Sequence, residues 1–424
     1  MSSPLRILVV LPLYGGSLPI GRYCARALTS MGHAVRLFDA PVFHSAFTGL
    51  KTLELPPSSL GPLENSFLQV LNQGILAQVE QFEPDLVLAL AQAPLNRLSL
   101  QKLRKAGVRT AMWFVEDWQV FDYWQAYAPL YDVFAVIQKE PFQEKLVAAG
   151  QEHAPYLPLA ALPEFHRPLT LTAEETREYG ADIGFLGAGY PNRRLAFRPL
   201  AGRDFKIWGS DWDGESVLAP CIQRQGQRIG EEESVKIYNA SRINLNLHSS
   251  LKTDRLVSHG DFVNPRTFEL AAMGAFQLVD RRRLLPELFA EDELACFDSE
   301  SELYEKIDYF LSHPEERAQY SRRARERVLA EHTYMQRMQQ LLDYVAEACG
   351  PWRAAAAQTV IAQPLQELLQ HLELGPGASF ENVVHRLRQQ SGVLSDVETA
   401  ILFLDEWRRQ YRGAGAKCCR VTRG

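Results

Sequence analysis

The first half of the chain alternates short apolar runs with longer amphipathic ones. RILVVLPL (6–13) is apolar at nearly every position, the pattern of a strand buried on both faces. A glycine turn, YGGS, follows it, and then a helix-period stretch over about 18–31 that stops at Gly32. The alternation continues through strand HAVRLF, a long helix over about 63–82, strand PDLVLAL (84–90) and a helix near 97–106. Strand VRTAMWFV (108–115), a helix near 119–127, strand YDVFAVI (131–137), helix EPFQEKLVAAG (140–150) and a last strand, PYLPLA, complete the series. Continuous apolar strands separated by helices predict a parallel sheet covered on both faces. Prolines and polar residues over 161–180 break the pattern and read as a connection. A second α/β series then starts, with strands DIGFLG (182–187), FKIWG (205–209), RINLNLH (242–248) and AFQLVD (275–280), and ACF (295–297) as a candidate fifth.

The expected partition is a doubly wound domain over 1–165, a linker over 166–180, a second doubly wound domain over 181–350, and a helical extension with a basic tail over 351–424. Two such domains place a cleft between the carboxyl ends of their strands, where ligands of open α/β sheets bind. A length of 424 residues, beyond what one core usually serves, agrees with two domains. The net charge of −6 argues against general nucleic-acid binding. No apolar run approaches the roughly 18 residues of a membrane span. The apolar start is too short for a secretory leader and runs into a glycine turn rather than a cleavage site, so a cytoplasmic protein is expected. The six cysteines form no CxxC pair, and no metal site is expected. Most of them read as buried reduced thiols, with Cys418 and Cys419 exposed in the polar tail.

The candidate chemistry centres on HGDFVNPRTFELAAMG (259–274). Asn264 suits an N-cap and Pro265 the first helical position, so a helix should begin there with its free N–H groups facing the cleft, where they attract anions. Arg266 in the first turn opposes the helix dipole unless an anion lies between. Glu269 lies one turn in, and Asp261 in the loop ahead. Carboxylates for vicinal hydroxyls beside an arginine and a helix end for phosphates suit a nucleotide sugar. The plainer reading makes Asp261 and Glu269 surface charges, with Arg266 pairing Glu269.

Other stretches leave similar pairs of readings. In LGAGYPNRR (186–194), Gly187 and Gly189 allow close backbone approach, while Arg193 and Arg194 offer charge to a diphosphate or simply stay solvated. The spacing is not GxGxxG, which speaks against a dinucleotide cofactor. Gly15 and Gly16 end the first strand as a plain turn or as a place where substrate meets backbone. WFVEDWQ (113–119) sets Glu116 and Asp117 between Trp113 and Trp118, either a sugar site with a general base or an acidic helix start. His248 either lines the pocket or is structural, as is the weaker His259, and Trp208 and Trp212 either stack on a base or belong to the core.

Together these stretches resemble a family. YNASRINLNLHSS, GDFVNPRTFELAAMGAFQLVDRRRLLPELF and the run from CFDSESELYEKI to RERVLAEHTY are similar to the C-terminal domain of CgeB-like glycosyltransferases, GT-B-fold proteins named for a spore maturation protein. LPLYGG, ALTSMGHAVRLFDAP and W-F-V-E-D resemble their N-terminal domain, so the likeness spans about 5–345. It implies transfer of a sugar from a nucleotide-diphosphate-sugar donor, held mainly by the C-terminal domain, to an acceptor hydroxyl. The acceptor, whether glycan, protein or small molecule, would sit on the N-terminal domain. No cofactor beyond the donor is expected, and because no DxD-type triplet occupies a persuasive place, metal-independent chemistry is expected. Related retaining enzymes carry E-x7-E, whose second Glu binds the ribose; Glu269 matches that position, and Asp261 stands at the first, one methylene short. Their diphosphate-binding Arg/Lys pair maps onto Arg193, Arg194 or Arg266. A glycan- or partner-binding protein without catalysis and a nucleotide-sugar epimerase are the competing readings.

Overall fold

The structure is a computed structural model that describes residues 4–250, 256, 260–352, 363–375, 378, 380–389, 392 and 394–412. His259, Cys418, Cys419 and the tail beyond 412 lie outside the described residues. In the first half, strands β1 (Arg6–Val10), β2 (Ala34–Phe38), β3 (Leu86–Leu90), β4 (Arg109–Phe114) and β5 (Val133–Val136) alternate with helices. These helices are α1 (Ser17–Ser30), α2 (His44–Gly49), α3 (Pro57–Phe82), α4 (Arg97–Lys105), α5 (Trp124–Tyr127) and α6 (Phe142–Ala148). After α7 (Ala173–Tyr179) come β6 (Ala181–Leu186), α8 (Pro191–Phe197), β7 (Phe205–Trp208), α9 (Glu231–Ala240), β8 (Ser241–Asn246), α10 (Pro265–Met273), β9 (Gln277–Asp280) and β10 (Ala295–Phe297). Three long helices follow, α11 (Glu300–Ser312), α12 (Pro314–Glu331) and α13 (Tyr334–Cys349).

Both sheets are parallel and share one order, β2-β1-β3-β4-β5 and β10-β9-β8-β6-β7 read in mirror sequence. In each, the second strand of the set flanks the first and the third leaves on its other side, which makes a crevice at the carboxyl ends of first and third strands. Burial explains the apolar runs. In β1, Ile7 and Val9 pack into a core with α1 and α13, while Leu8 and Val10 face the opposite core with Leu71 and Ile75 of α3.

Three local expectations change. PYLPLA forms no strand: it follows β5 through backbone bonds at Pro155 and Leu157, but Pro155 and Pro158 cannot donate to a ladder. The helix expected near 119–127 shortens to α5, because Asp117 O is taken by the N–H groups of Val120 and Phe121 in a turn. Finally α13, which the sequence groups with the second sheet, crosses back to the first. Its apolar residues Met338, Leu341, Leu342 and Val345 share a core with Ile20, Cys24 and Leu28 of α1, and Arg337 Nε donates to Pro158 O at 2.7 Å.

Residues 2–352 are one compact unit, and the chain from residue 353 forms a second. In the second unit α14 (Gln363–His371), α15 (Phe380–Gln389) and α16 (Asp396–Arg412) surround a small core of Leu368, Leu369, Leu372, Val383 and Leu387. The four described cysteines are free thiols, two of them buried. No described helix is long and apolar enough to cross a membrane.

Candidate active site at the carboxyl ends of the two sheets

Helix α10 is fixed at both ends. Asn264 Oδ1 accepts Thr267 N–H at 3.1 Å, Pro265 occupies the first helical position, and Gly274 closes the helix at φ 66° in the left-handed region. A buried polar network holds its start. Asn246 Nδ2 donates to Thr267 Oγ1 and to Gln277 Oε1, both at 2.9 Å, and Asn264 Nδ2 donates to Asn246 Oδ1 at 2.8 Å. His248 completes it, with Nε2 accepting Asn264 N–H at 2.9 Å and Nδ1 donating to Asp280 Oδ1 at 2.6 Å. Burial holds the imidazole at a pKa of about 4, so it stays neutral in this tautomer. His248 is therefore a strut under the helix rather than a pocket wall, both ring nitrogens being spent. Asn246 of INLNLH, polar on a buried strand, is the signal for this network, while Asn244 donates to the carbonyls of Tyr238 and Phe276.

Two guanidiniums meet beside this helix. Arg266 and Arg193 lie over the same Phe185 ring, 5.6 and 5.1 Å from its centroid. Arg266 Nε donates to Tyr238 Oη at 2.9 Å and forms no ion pair with Glu269 among the described residues. Arg193 is 6% exposed and directs Nε and Nη2 to Leu247 O and Nη1 to Ala188 O, which leaves two of its five N–H groups unspent. Burial and the neighbouring Arg266 lower its pKa to about 9. Two like charges brought together in this way create a local demand for an anion.

Arg194 does not join them. Its guanidinium is tied to the carbonyls of Gly189, Asp211 and Asp213, so it shapes the following loop instead of facing a ligand. Gly187 and Gly189 serve packing as well: a Cβ on Gly189 would lie 2.3 Å from Asp211 O, and one on Gly187 would press on Phe185 and Arg193. Trp208 and Trp212 are core residues, and Trp113 is buried with Nε1 donating to Leu157 O; none offers a stacking face. Gly15 differs. Its φ is 106°, and nothing lies within 4 Å of where a Cβ would stand on Gly15 or Gly16, so that turn is open.

Glu269 stands where the two halves meet. Its side chain is 18% exposed, accepts no hydrogen bond among the described residues, and has His166 Nε2 at 3.8 Å. Desolvation lifts its pKa to about 7 against the opposing pull of Arg266. His166 takes Leu162 N–H on Nδ1 and packs edge-on against Tyr23 of α1, while Arg22 of the same helix reaches Glu231 of α9 at 3.7 Å. A nearly buried carboxylate without donors is unusual unless a ligand supplies them.

The remaining carboxylates gather around Gln138, a residue the sequence reading missed. Gln138 is 2% exposed; its Nε2 donates to Asp261 Oδ1 at 2.8 Å and lies 3.3 Å from Asp117 Oδ1, and its Oε1 accepts Trp118 N–H. One amide thus joins a carboxylate from each sheet. Arg283 approaches Asp261 Oδ2 at 3.4 Å and donates to Glu140 O across the same junction, where Lys139 also pairs with Glu287. Glu116 faces elsewhere: Gln92 Nε2 and Tyr123 Oη donate to it, and burial raises its pKa.

A family described as glycosyl transferase-like matches residues 193–343. The spore protein CgeB of Bacillus subtilis (strain 168) is 25% identical over 256 residues, 57% of this chain and 77% of that protein. Among solved structures, sucrose-phosphate synthase from Thermosynechococcus elongatus shares the fold at a TM-score of 0.56 and 13% identity, over 81% of this chain and 99% of that one. Anabaena Alr3699/HepE in complex with UDP and glucose does so at 0.55 and 12%, over 81% and 100%. With two like-ordered parallel sheets meeting at their carboxyl ends, the chain has the GT-B fold, and its sequence is similar to CgeB and, over 193–343, to glycosyl transferase-like proteins.

Proposed function

We propose that the protein transfers a glycosyl group from a nucleotide-diphosphate sugar, bound at the start of α10, to an acceptor hydroxyl presented by the first sheet. The observation that carries this reading is the pairing of Arg193 and Arg266 over one ring at the start of α10, with the donor-free carboxylate of Glu269 one turn further along that helix. Glu269 would accept the ribose hydroxyls. Arg266 and the unspent N–H groups of Arg193 would hold the diphosphate, whose negative charge grows as the glycosidic bond breaks. In this reading guanidiniums supply the countercharge, and transfer needs no divalent cation. The sugar would lie toward the open Gly15–Gly16 turn and Asp261. Asp117, whose Oδ2 takes no hydrogen bond among the described residues, would receive the acceptor proton. That Alr3699/HepE was solved with UDP and glucose supports a uridine nucleotide as the first to try.

The test is calorimetric titration of UDP, GDP, TDP and ADP into the wild type, Glu269→Ala and Arg266→Ala. One nucleotide should bind well, and each substitution should weaken it by about tenfold or more, the worth of a lost hydrogen bond to a charged group. Unchanged nucleotide affinity in Glu269→Ala would remove the site assignment.

A further inference from the structure

A second basic concavity lies at the other end of the second sheet. Ser241 and Arg242 open β8, and Gly274 to Phe276 lead into β9, so these residues sit at the amino ends of the strands, away from the cleft. Pro314, Arg317, Ala318, Ser321, Arg322 and Arg325 line the same groove at helical spacing, as one face of α12. The groove encloses about 470 Å³ and no lining residue is acidic. Four guanidiniums therefore converge there, with Asp182, at 2.6 Å from Arg242, as the one carboxylate paired to any of them among the described residues.

The fold uses only part of this charge. Arg317 Nη1 donates to the carbonyls of Phe310 and Leu311 at the end of α11, and Arg325 Nε to Ala272 O at 3.1 Å near the end of α10. Each thereby caps a helix C-terminus and keeps its other N–H groups. Arg322 is exposed and makes no hydrogen bond or ion pair among the described residues. Burial and the neighbouring Arg242 lower the pKa of Arg317, as expected where like charges crowd.

We propose that this groove binds a phosphate-bearing small molecule. Forked guanidinium donors match a tetrahedral dianion better than a single carboxylate, and the volume suits a compact metabolite rather than a peptide. Ser241 and Ser321 add hydroxyls at its wall.

The experiment titrates inorganic phosphate, glucose 6-phosphate and glucose into the full chain at constant ionic strength set with potassium chloride. Saturable binding of the two phosphate compounds, and none of glucose, is expected. Tighter binding of glucose 6-phosphate assigns the groove to an organic phosphate; equal binding assigns it to free phosphate. Arg322→Glu should weaken binding by about tenfold or more, with Arg322→Gln as the milder substitution should the reversal misfold. Arg266→Ala, in the cleft, should keep the groove's phosphate binding. Absence of phosphate binding, binding that survives both Arg322 substitutions, or binding lost in Arg266→Ala would overturn the proposal.

Discussion

Glu269 is a mostly buried carboxylate that the fold leaves without a hydrogen-bond donor among the described residues. Its pKa rises from 4.5 to about 7 because burial removes water and no donor replaces it. A carboxyl whose folded pKa is raised stabilises the protein below its unfolded pKa, and that contribution is lost as pH climbs through 7. The two and a half pKa units correspond to about 3 kcal/mol at pH 8. Glu269→Gln should therefore stabilise the protein by about that amount at pH 8 and leave it nearly unchanged at pH 4.5. Urea denaturation at the two pH values checks this, and equal effects at both would contradict it. Position alone singled out Glu269 and Arg266 as candidates in the sequence. It did not separate Arg193 from Arg194, because adjacent helical residues point about 100° apart and only the packing shows which faces Phe185.

At the level of elements, α10 depends on groups drawn from β8 and β9. Asn246, Gln277 and Asp280 are buried polar residues whose hydrogen bonds close only when the strands and the helix come together. Thr267→Val keeps the shape but removes the acceptor for one Asn246 N–H. It should cost about 1–3 kcal/mol, the penalty for an unsatisfied buried donor. Chemical denaturation would measure it, and a loss under about 0.5 kcal/mol would show that the network relaxes without cost. The helix itself was legible: Asn264, Pro265 and Gly274 mark its ends by local chemistry. Segments governed by distant partners were not, as PYLPLA and α13 show. Nothing within residues 334–349 reveals that their apolar face meets α1 instead of the nearer sheet.

Across the whole molecule, Gln138, Lys139 and Arg283 clasp the two sheets. Lys139 and Arg283 act at the rim and Gln138 is buried, beside an apolar core in which Ile20 of α1 and Phe268 of α10 both take part. Gln138→Ala also strips Asp261 of its amide donor. Its solution radius of gyration, measured by small-angle X-ray scattering without ligand, should exceed that of the wild type, and an unchanged value would show that the clasp does not hold the cleft. High salt should act in the same direction by screening Lys139 and Glu287.

The sequence by itself determined the class of fold, two parallel sheets with helices between strands, because strand burial and helix periodicity are written in local patterns of apolar residues. It also determined where α10 begins and which carboxylate follows its first turn. The tertiary structure alone decided the rest. It showed that His248 and Arg194 serve the fold, that Arg193 joins Arg266 on one ring, and that Gln138 ties Asp117 to Asp261 across the cleft. Each of these involves at least one partner between 16 and 123 positions away, and no local pattern encodes which of them will meet.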